Sequence, residues 1–333
     1  MNRVTISDVA KAAGVSMKSV SRVINREPNV SDKLRVKVQA AIDALGYVPD
    51  LAARSLAGAR AFTIGVLLDN PSPNYTMKIV TGAYQACRKH GYHLLLENLE
   101  SARNDIAEQA ADMLRNARID GFVLTPPITD CEPVLAVLEA QGIPYVRIAP
   151  TSFQGRSPAL AIDDCSAASE LARHFWGLGH RRFGLVTGPP EHGAAGTRRA
   201  GFKAQIAELG GSIVAEEYGG FQFETGIGAG LTLLAREDRP SAIFAMNDDS
   251  AAGVMSAAAQ LGLRVPGDVA VAGFDDSWIA QSVWPNLTTI YQPITELAFE
   301  ATELLIERGS SEQGNGVRLL DYRLIERGST VAP

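Results

Sequence analysis

The side chains of this sequence best suited to chemistry sit just past short apolar runs. Asp69, Asn74 and Tyr75 follow FTIGVLL (62–68), and Thr125 follows IDGFVL (119–124). Asn247 and Asp248 follow AIFAM (242–246), and Asp275 follows VAVAGF (269–274). Carboxylates, amides and hydroxyls of this kind offer planar acceptors and donors, the equipment for gripping vicinal hydroxyls. Asp164 is a further candidate, and Trp278 could extend an aromatic surface. Catalytic signatures are missing: no GxSxG, P-loop or HExxH occurs, and TGIGAG (225–230) lacks the spacing of a dinucleotide fingerprint. His90, His93, His174, His180 and His192 form no metal-ligand array, and Cys87, Cys131 and Cys165 include no CxxC pair. The expectation is therefore a binding protein that is not an enzyme, with no metal, cofactor or disulfide framework.

A second chemistry is electrostatic. The net charge of −6 hides an asymmetry: residues 1–60 hold ten Lys/Arg against five Asp/Glu, whereas the remainder hold 21 against 32. A basic head on an acidic body suits an anionic polymer such as nucleic acid. The amino terminus lacks the apolar core of a signal peptide, and no apolar run reaches the roughly 18 residues of a membrane span. A cytoplasmic protein with no membrane partner is expected, and the sparse cysteines fit a reducing compartment.

The head reads as helices. Thr5 and Asp8 can cap a helix over 5–13, Gly14 breaks it, and a second begins near Ser16. Helix, glycine-containing turn, helix is the helix-turn-helix pattern. A third helix runs from Ser31 as N-cap to Leu45 and is closed by Gly46. LAARSLA (51–57) then reads as one more short helix, too short to be stable alone, which makes it a hinge candidate. From Phe62 strands alternate with amphipathic helices, restarting after a linker at 151–160, which predicts two parallel-sheet subdomains facing across a cleft. The expected fold is α/β. The expected domains are 1–47 (helix-turn-helix), 48–60 (hinge) and 61–333 (core). The core would comprise subdomains of roughly 61–160 and 161–290 with carboxy-terminal crossover segments. Core packing is the expectation for Trp284.

Several segments in order resemble one family. TISDVAKAAGVSMKSVSRVIN (5–25) resembles the helix-turn-helix of the LacI/GalR family of bacterial regulators, and GYVPDLAARSLAG (46–58) its hinge helix. HRRFGLVTGP (180–189), RRAGF (198–202), FAMNDDSAAGVM (244–255), VAVAGFDDS (269–277) and PNLTTI (285–290) resemble its effector-binding core. The resemblance implies a core like that of periplasmic sugar-binding proteins, a homodimer on a palindromic operator, and control by a small molecule. By the same analogy Met17, Lys18 and Arg22 face base edges, with Arg22 able to pair bidentately with guanine. Thr5, Ser16, Ser19, Ser21 and Asn25 are candidates for phosphate oxygens. Leu56 matches the family's minor-groove wedge, with Arg54 and Ser55 lining the groove or its phosphates. Asp50 departs from the family's usual Asn.

In the cleft, Arg198 matches the family's effector-contacting arginine, Asp275 its carboxylate acceptor and Phe221 its stacking aromatic. The family often shows two adjacent aromatics where this chain has Tyr75 followed by Thr76, which favours a sugar over a purine. The expected function is a DNA-binding transcriptional repressor released from its operator by a sugar or sugar derivative. The alternatives are a periplasmic-type solute-binding protein and a regulator that answers to a purine corepressor or a partner protein. With no leucine-heptad tail, a dimer is expected rather than a tetramer.

Overall fold

Thr5 and Asp8 open the amino-terminal unit by capping each other. In the computed structural model Asp8 Oδ2 accepts from the Thr5 amide at 2.9 Å, and Thr5 Oγ1 accepts from the Asp8 amide at 3.4 Å. This reciprocal box satisfies backbone donors that a helix start otherwise leaves open. The structure describes residues 4–24, 30–47, 60–116, 118–307 and 315–331. The chain divides into two units, residues 1–62 and 63–333.

The first unit holds α1 (Ile6–Ala12), α2 (Met17–Ile24) and α3 (Asp32–Leu45). Gly14, at φ +57°, makes the turn between α1 and α2. Ser31 caps α3 and Gly46, in the left-handed region, ends it. Val9, Ala13, Val20, Val23, Val38 and Ala41 form the shared core.

The second unit contains two six-stranded sheets. The first joins β1 (Thr63–Leu68), β2 (His93–Asn98), β3 (Gly121–Leu124), β4 (Tyr145–Ile148), β5 (Ala159–Ala161) and β11 (Val317–Leu319) in the order β11-β5-β4-β3-β1-β2. Every pair in it is parallel. The second joins β6 (Arg182–Thr187), β7 (Ser212–Tyr218), β8 (Ala242–Ala245), β9 (Ala270–Asp275), β10 (Thr288–Tyr291) and β12 (Arg323–Ile325) in the order β12-β10-β9-β8-β6-β7. Only β12 runs antiparallel to its neighbour. Central strands such as β3, β4, β8 and β9 are buried throughout, because helices cover both faces of a parallel sheet.

The chain passes between the lobes three times. It leaves the first after β5, enters α7 (Asp164–Gly177) in the second, returns after β10 into α12 (Ile294–Glu307), and crosses again between β11 and β12. In the first lobe α12 packs along α4 (Pro73–His90). No helix among the described residues is long and apolar enough to cross a membrane.

Three local expectations change. The segment read as a linker over 151–160 ends in β5, whose three small residues carry too little pattern to mark a strand. Arg147, fully buried on β4, holds the approach to it: its guanidinium donates to the carbonyls of Ser152 (2.9 Å) and Phe153 (2.7 Å) and to Ser157 Oγ (3.1 Å). Phe62 sits at φ +54°, so β1 starts one residue later. Trp284 is 87% exposed rather than core, because Val283 and Leu287 fill the space beneath its loop.

α4 and α12 cross tightly at Gly82, where an added Cβ would lie 2.0 Å from the Thr295 carbonyl oxygen on α12. No rotamer relieves a clash with backbone, so Gly82→Ala must push α4 and α12 apart. We expect a loss of about 1–3 kcal/mol in urea unfolding of the core. An unchanged midpoint would show that the two helices are not locked at this crossing.

Candidate DNA-reading unit and effector pocket

In the amino-terminal unit exposed cations lie on all three helices, Lys11 on α1, Lys18 on α2 and Lys33 and Lys37 on α3. Ser16 Oγ accepts from the Ser19 amide at 3.1 Å and shares a hydrogen with Ser19 Oγ at 2.9 Å, which starts α2. Met17, 55% exposed, and Lys18 occupy its first turn, and Ser21 and Arg22 are half-buried toward its end. An α-helix of this size fits the major groove, whose base edges its first residues can reach. Thr5 Oγ1 accepts from the Asp8 amide and gives its own proton to Asp8 Oδ2 at 2.7 Å, whereas Ser16 and Ser19 share one hydroxyl proton between them and leave the other for an acceptor. Asn25, Asp50, Arg54, Ser55 and Leu56 lie outside the described residues.

The core presents a different site. In each sheet the strand order reverses at one point, between β1 and β3 and between β6 and β8. Loops diverge there and leave a crevice at the carboxyl ends of the strands. A pocket lies between the two crevices. The first lobe lines it with Asn70, Ser72 and Tyr75, and the second with His192, Arg198, Phe221, Asn247, Asp275 and Gln292.

Arg198, on α8 (Gly193–Leu209), is the cation of the pocket and is 5% exposed. Its Nε donates to Asp164 Oδ1 at 2.7 Å and its Nη1 to the Met246 carbonyl at 2.8 Å. Asp275 Oδ1 stands 3.8 Å away, and the guanidinium carbon lies 3.7 Å from the centre of the Phe274 ring. Gln292 Nε2 donates to Asp275 Oδ1 at 2.5 Å. Asp275 and Asp276 adopt φ of +111° and +43°, backbone strain that turns the end of β9 toward the pocket.

Burial pushes the Asp275 carboxyl up to about 6, although Arg198 and Lys78 pull against it. Burial also raises Asp164 despite its bond to Arg198. Burial, reinforced by Arg198, pushes the His192 imidazole down to about 4, so it is neutral at pH 7. Tyr75 is raised by burial and then by Asp275, so its phenol keeps its proton. The pocket thus combines one paired cation, carboxylate acceptors and neutral donors, which suits a ligand bearing uncharged hydroxyls.

Phe221 stands at φ +61°, edge-on to His192 with ring centres 5.3 Å apart. Its ring lies against Gly188, where any Cβ would come within 2.3 Å of it. Asn247 pins this loop, donating from Nδ2 to the Phe221 carbonyl at 3.0 Å while Oδ1 caps the next helix at Ser250.

The structure brings together Tyr75, Arg198, Phe221, Asn247 and Asp275 and sets the other sequence candidates elsewhere. Asp164 stands behind Arg198. Asp248 accepts from the Ser277 amide and the Thr289 hydroxyl, both at 2.6 Å, and braces the β9 loop from below. Thr125 is buried and donates to the Leu67 carbonyl at 2.8 Å. Asp69 accepts from the Ser101 amide at 2.7 Å, nearer the cleft mouth. Asn74 reaches across the cleft to Asp249. Trp278 is 67% exposed and leaves the pocket lining: the Ser277 amide is held inward by Asp248, so the next side chain faces solvent.

Asn70, Ser72, His192 and Gln292 escaped the sequence reading. A signal existed for Ser72, since Ser followed by Pro marks an N-cap and first helical turn, here of α4. The remaining three follow strand ends with nothing local to single them out.

Side chains also tie the lobes. Asp249 accepts from Ser72 Oγ and Asn74 Nδ2, each at 2.5 Å, and Lys78 Nζ donates to the carbonyls of Asp275 and Asp276 at 2.8 Å.

Comparison with known proteins places this arrangement. A family model described as bacterial regulatory proteins, lacI family, matches residues 5–50, and one for a periplasmic binding protein-like domain matches residues 172–330. The ribose operon repressor of Escherichia coli (strain K12) is 35% identical over 329 residues, 98% of this chain and 99% of that protein. The HTH-type transcriptional repressor PurR of Erwinia tasmaniensis is 35% identical over 334 residues, 98% of this chain and 96% of that one. Among solved structures, the lac repressor dimer bound to operator and the anti-inducer ONPF superposes with a TM-score of 0.81 at 28% identity, covering 99% of this chain and 100% of that one. The transcriptional regulator CelR–cellobiose complex gives 0.74 at 29%, covering 98% and 100%. The capped helix-turn-helix, the paired doubly wound lobes and relatives aligned over nearly their whole length lead to one conclusion: this chain belongs to the LacI family of DNA-binding transcriptional regulators.

Proposed function

We propose that this chain is a cytoplasmic repressor that binds a palindromic operator as a homodimer and is released by a sugar or sugar derivative held between its lobes. The observation that carries the effector class is the Arg198–Asp275 pair, buried on the second lobe's side of the pocket and surrounded by neutral donors. A cation already claimed by Asp164 offers little to an anionic ligand, whereas Asp275, held by Gln292, keeps lone pairs for hydroxyls. Relatives support the reading: one is a ribose operon repressor, and the CelR structure is a cellobiose complex. A purine corepressor is the alternative, but Tyr75 is followed by Thr76 and Phe221 meets His192 edge-on, an arrangement that offers a flat base no parallel pair of rings.

In this reading residues 1–47 bind DNA, 48–60 form the hinge, and 61–333 sense the effector and dimerise. Arg22 reads guanine, Met17 and Lys18 lie at base edges, and the hydroxyls of Ser16, Ser19 and Ser21 position the unit on phosphates, while Thr5 gives its proton to Asp8 and serves as the helix cap. The chain acts by binding, without turnover. Effector binding biases the lobes, and a coupling of about 1–3 kcal/mol suffices for graded release.

The test begins with selection of duplexes from a random library by the purified chain. A symmetric site should emerge and be lost when a sugar is added; enrichment of no symmetric sequence overturns the proposal. Arg22→Ala should weaken that site by about 1–3 kcal/mol while sparing nonspecific binding. Arg198→Ala and Asp275→Ala should retain operator binding yet fail to respond to sugar.

Ligand affinity should also depend on pH. Asp275 accepts hydroxyls best when ionised, so calorimetric affinity should fall as pH drops from 7 to 5, by up to about tenfold per unit below 6. Stability of the free core runs the other way. A folded value near 6 above an unfolded value of about 3.9 gives a contribution that is full below 4 and lost as pH rises through 6. Asp275→Asn should flatten both trends.

A further inference from the structure

In the first lobe α4 and α12 run side by side in the same direction, since Gly82 faces Thr295 and Phe299 while Lys89 and His90 face Glu303. His90 is the last residue of α4, which Gly91 closes in the left-handed region. Glu303 and Glu307 stand four residues apart on α12, so one helix face carries both carboxylates.

Three ligand atoms converge there. An imidazole nitrogen of His90 and one carboxylate oxygen each from Glu303 and Glu307 all lie within 4.8 Å of one another. No other set of His, Cys, Asp or Glu side chains among the described residues converges so closely. A tetrahedral Zn2+ holds nitrogen and oxygen ligands at about 2.0–2.2 Å, which sets them about 3.3–3.6 Å apart. Glu307 is exposed, so a rotamer change in this long side chain closes the difference. The other two ligands are held: His90 Nε2 hydrogen-bonds to Glu303 Oε1, and the backbone contact at Gly82 fixes one helix against the other. The negative end of the α4 dipole adds to the two carboxylates in favouring a cation. The His90 and Glu303 side chains keep 23% and 19% of their exposure, enough for an ion to enter and for water to complete its shell.

Lys89 competes for the same carboxylate, with Nζ 3.0 Å from Glu303 Oε1 and 3.1 Å from Oε2. It is 58% exposed, and its ammonium also lies 5.3 Å from the centre of the Phe299 ring, so it can leave Glu303 and keep an attractive partner.

We propose that His90, Glu303 and Glu307 form a site for one divalent transition-metal ion, which clamps α4 to α12. Zn2+ is the best match to one imidazole and two carboxylates, whereas Ca2+ and Mg2+ call for six or more oxygen ligands. None of the three residues lines the effector pocket. The first turns of α4 carry Asn74 and Lys78, which hold the facing lobe, so the clamp stiffens a helix that both lobes use. No ligand-spacing motif could reveal the site, because His90 and Glu303 are 213 residues apart, and it departs from the expectation of a chain without metal.

Isothermal titration calorimetry of Zn2+ into the full chain, purified without a histidine tag, tests the site. One Zn2+ should bind per chain and raise the melting temperature. His90→Ala and Glu307→Gln should each weaken binding at least tenfold, the latter at an exposed position that leaves folding intact. Lys89→Ala should tighten it, since the competing ammonium is gone. Absence of saturable Zn2+ binding, full affinity in either His90→Ala or Glu307→Gln, or Ca2+ binding as tightly as Zn2+ overturns the proposal.

Discussion

Arg198 is a full positive charge held almost entirely out of water, and the shape of the effector pocket follows from the groups that make this tolerable. A buried ion costs several kcal/mol unless partners surround it. Asp164 comes from α7, the Met246 carbonyl from the end of β8, Asp275 from the end of β9, and the Phe274 ring lies beneath the guanidinium. Each comes from a different element, so the charge fixes the relative positions of strand ends and helices in the second lobe. Asp275 is the least satisfied member, at 3.8 Å from the guanidinium, and that is what leaves it able to accept from a ligand.

Closure of the cleft uses neighbours of the same groups. Lys78 grips the carbonyls of Asp275 and Asp276, the two strained residues at the end of β9. Asp249, two residues beyond the pocket's Asn247, takes hydrogen bonds from Ser72 and Asn74 on the facing lobe. Burial raises the Asp249 carboxyl, and those two bonds offset the rise. Pocket-lining residues and lobe-tying residues therefore share loops, which is the physical requirement for anything bound in the pocket to bias one lobe arrangement over another.

The two units divide the electrostatic work. The basic head and acidic body carry opposite balances along one chain, so attraction to phosphate is confined to the part that bears α2. The pocket keeps Arg198 paired and His192 neutral, so it offers dipoles more than net charge.

What the sequence determined by itself was local or periodic. Thr5, Asp8, Ser31 and Gly46 announce helix ends because capping acts over three or four residues. Strand and helix alternation from 63 onward is legible because burial on two faces imposes apolar runs. The polar residues after strands marked the correct edge of each sheet, where the reversal of strand order opens the crevice. Tertiary structure decided which of them line the pocket. Thr125, Asp248 and Asp275 all follow strands, yet only Asp275 lines the pocket; Thr125 returns to the sheet and Asp248 braces a loop. The difference lies in partners far along the chain, 34 residues for Arg198 with Asp164 and 177 for Ser72 with Asp249, and in positive φ at Phe221 and Asp275. Bonds of that span are set by how sheets stack and cross, which residue type and spacing do not encode.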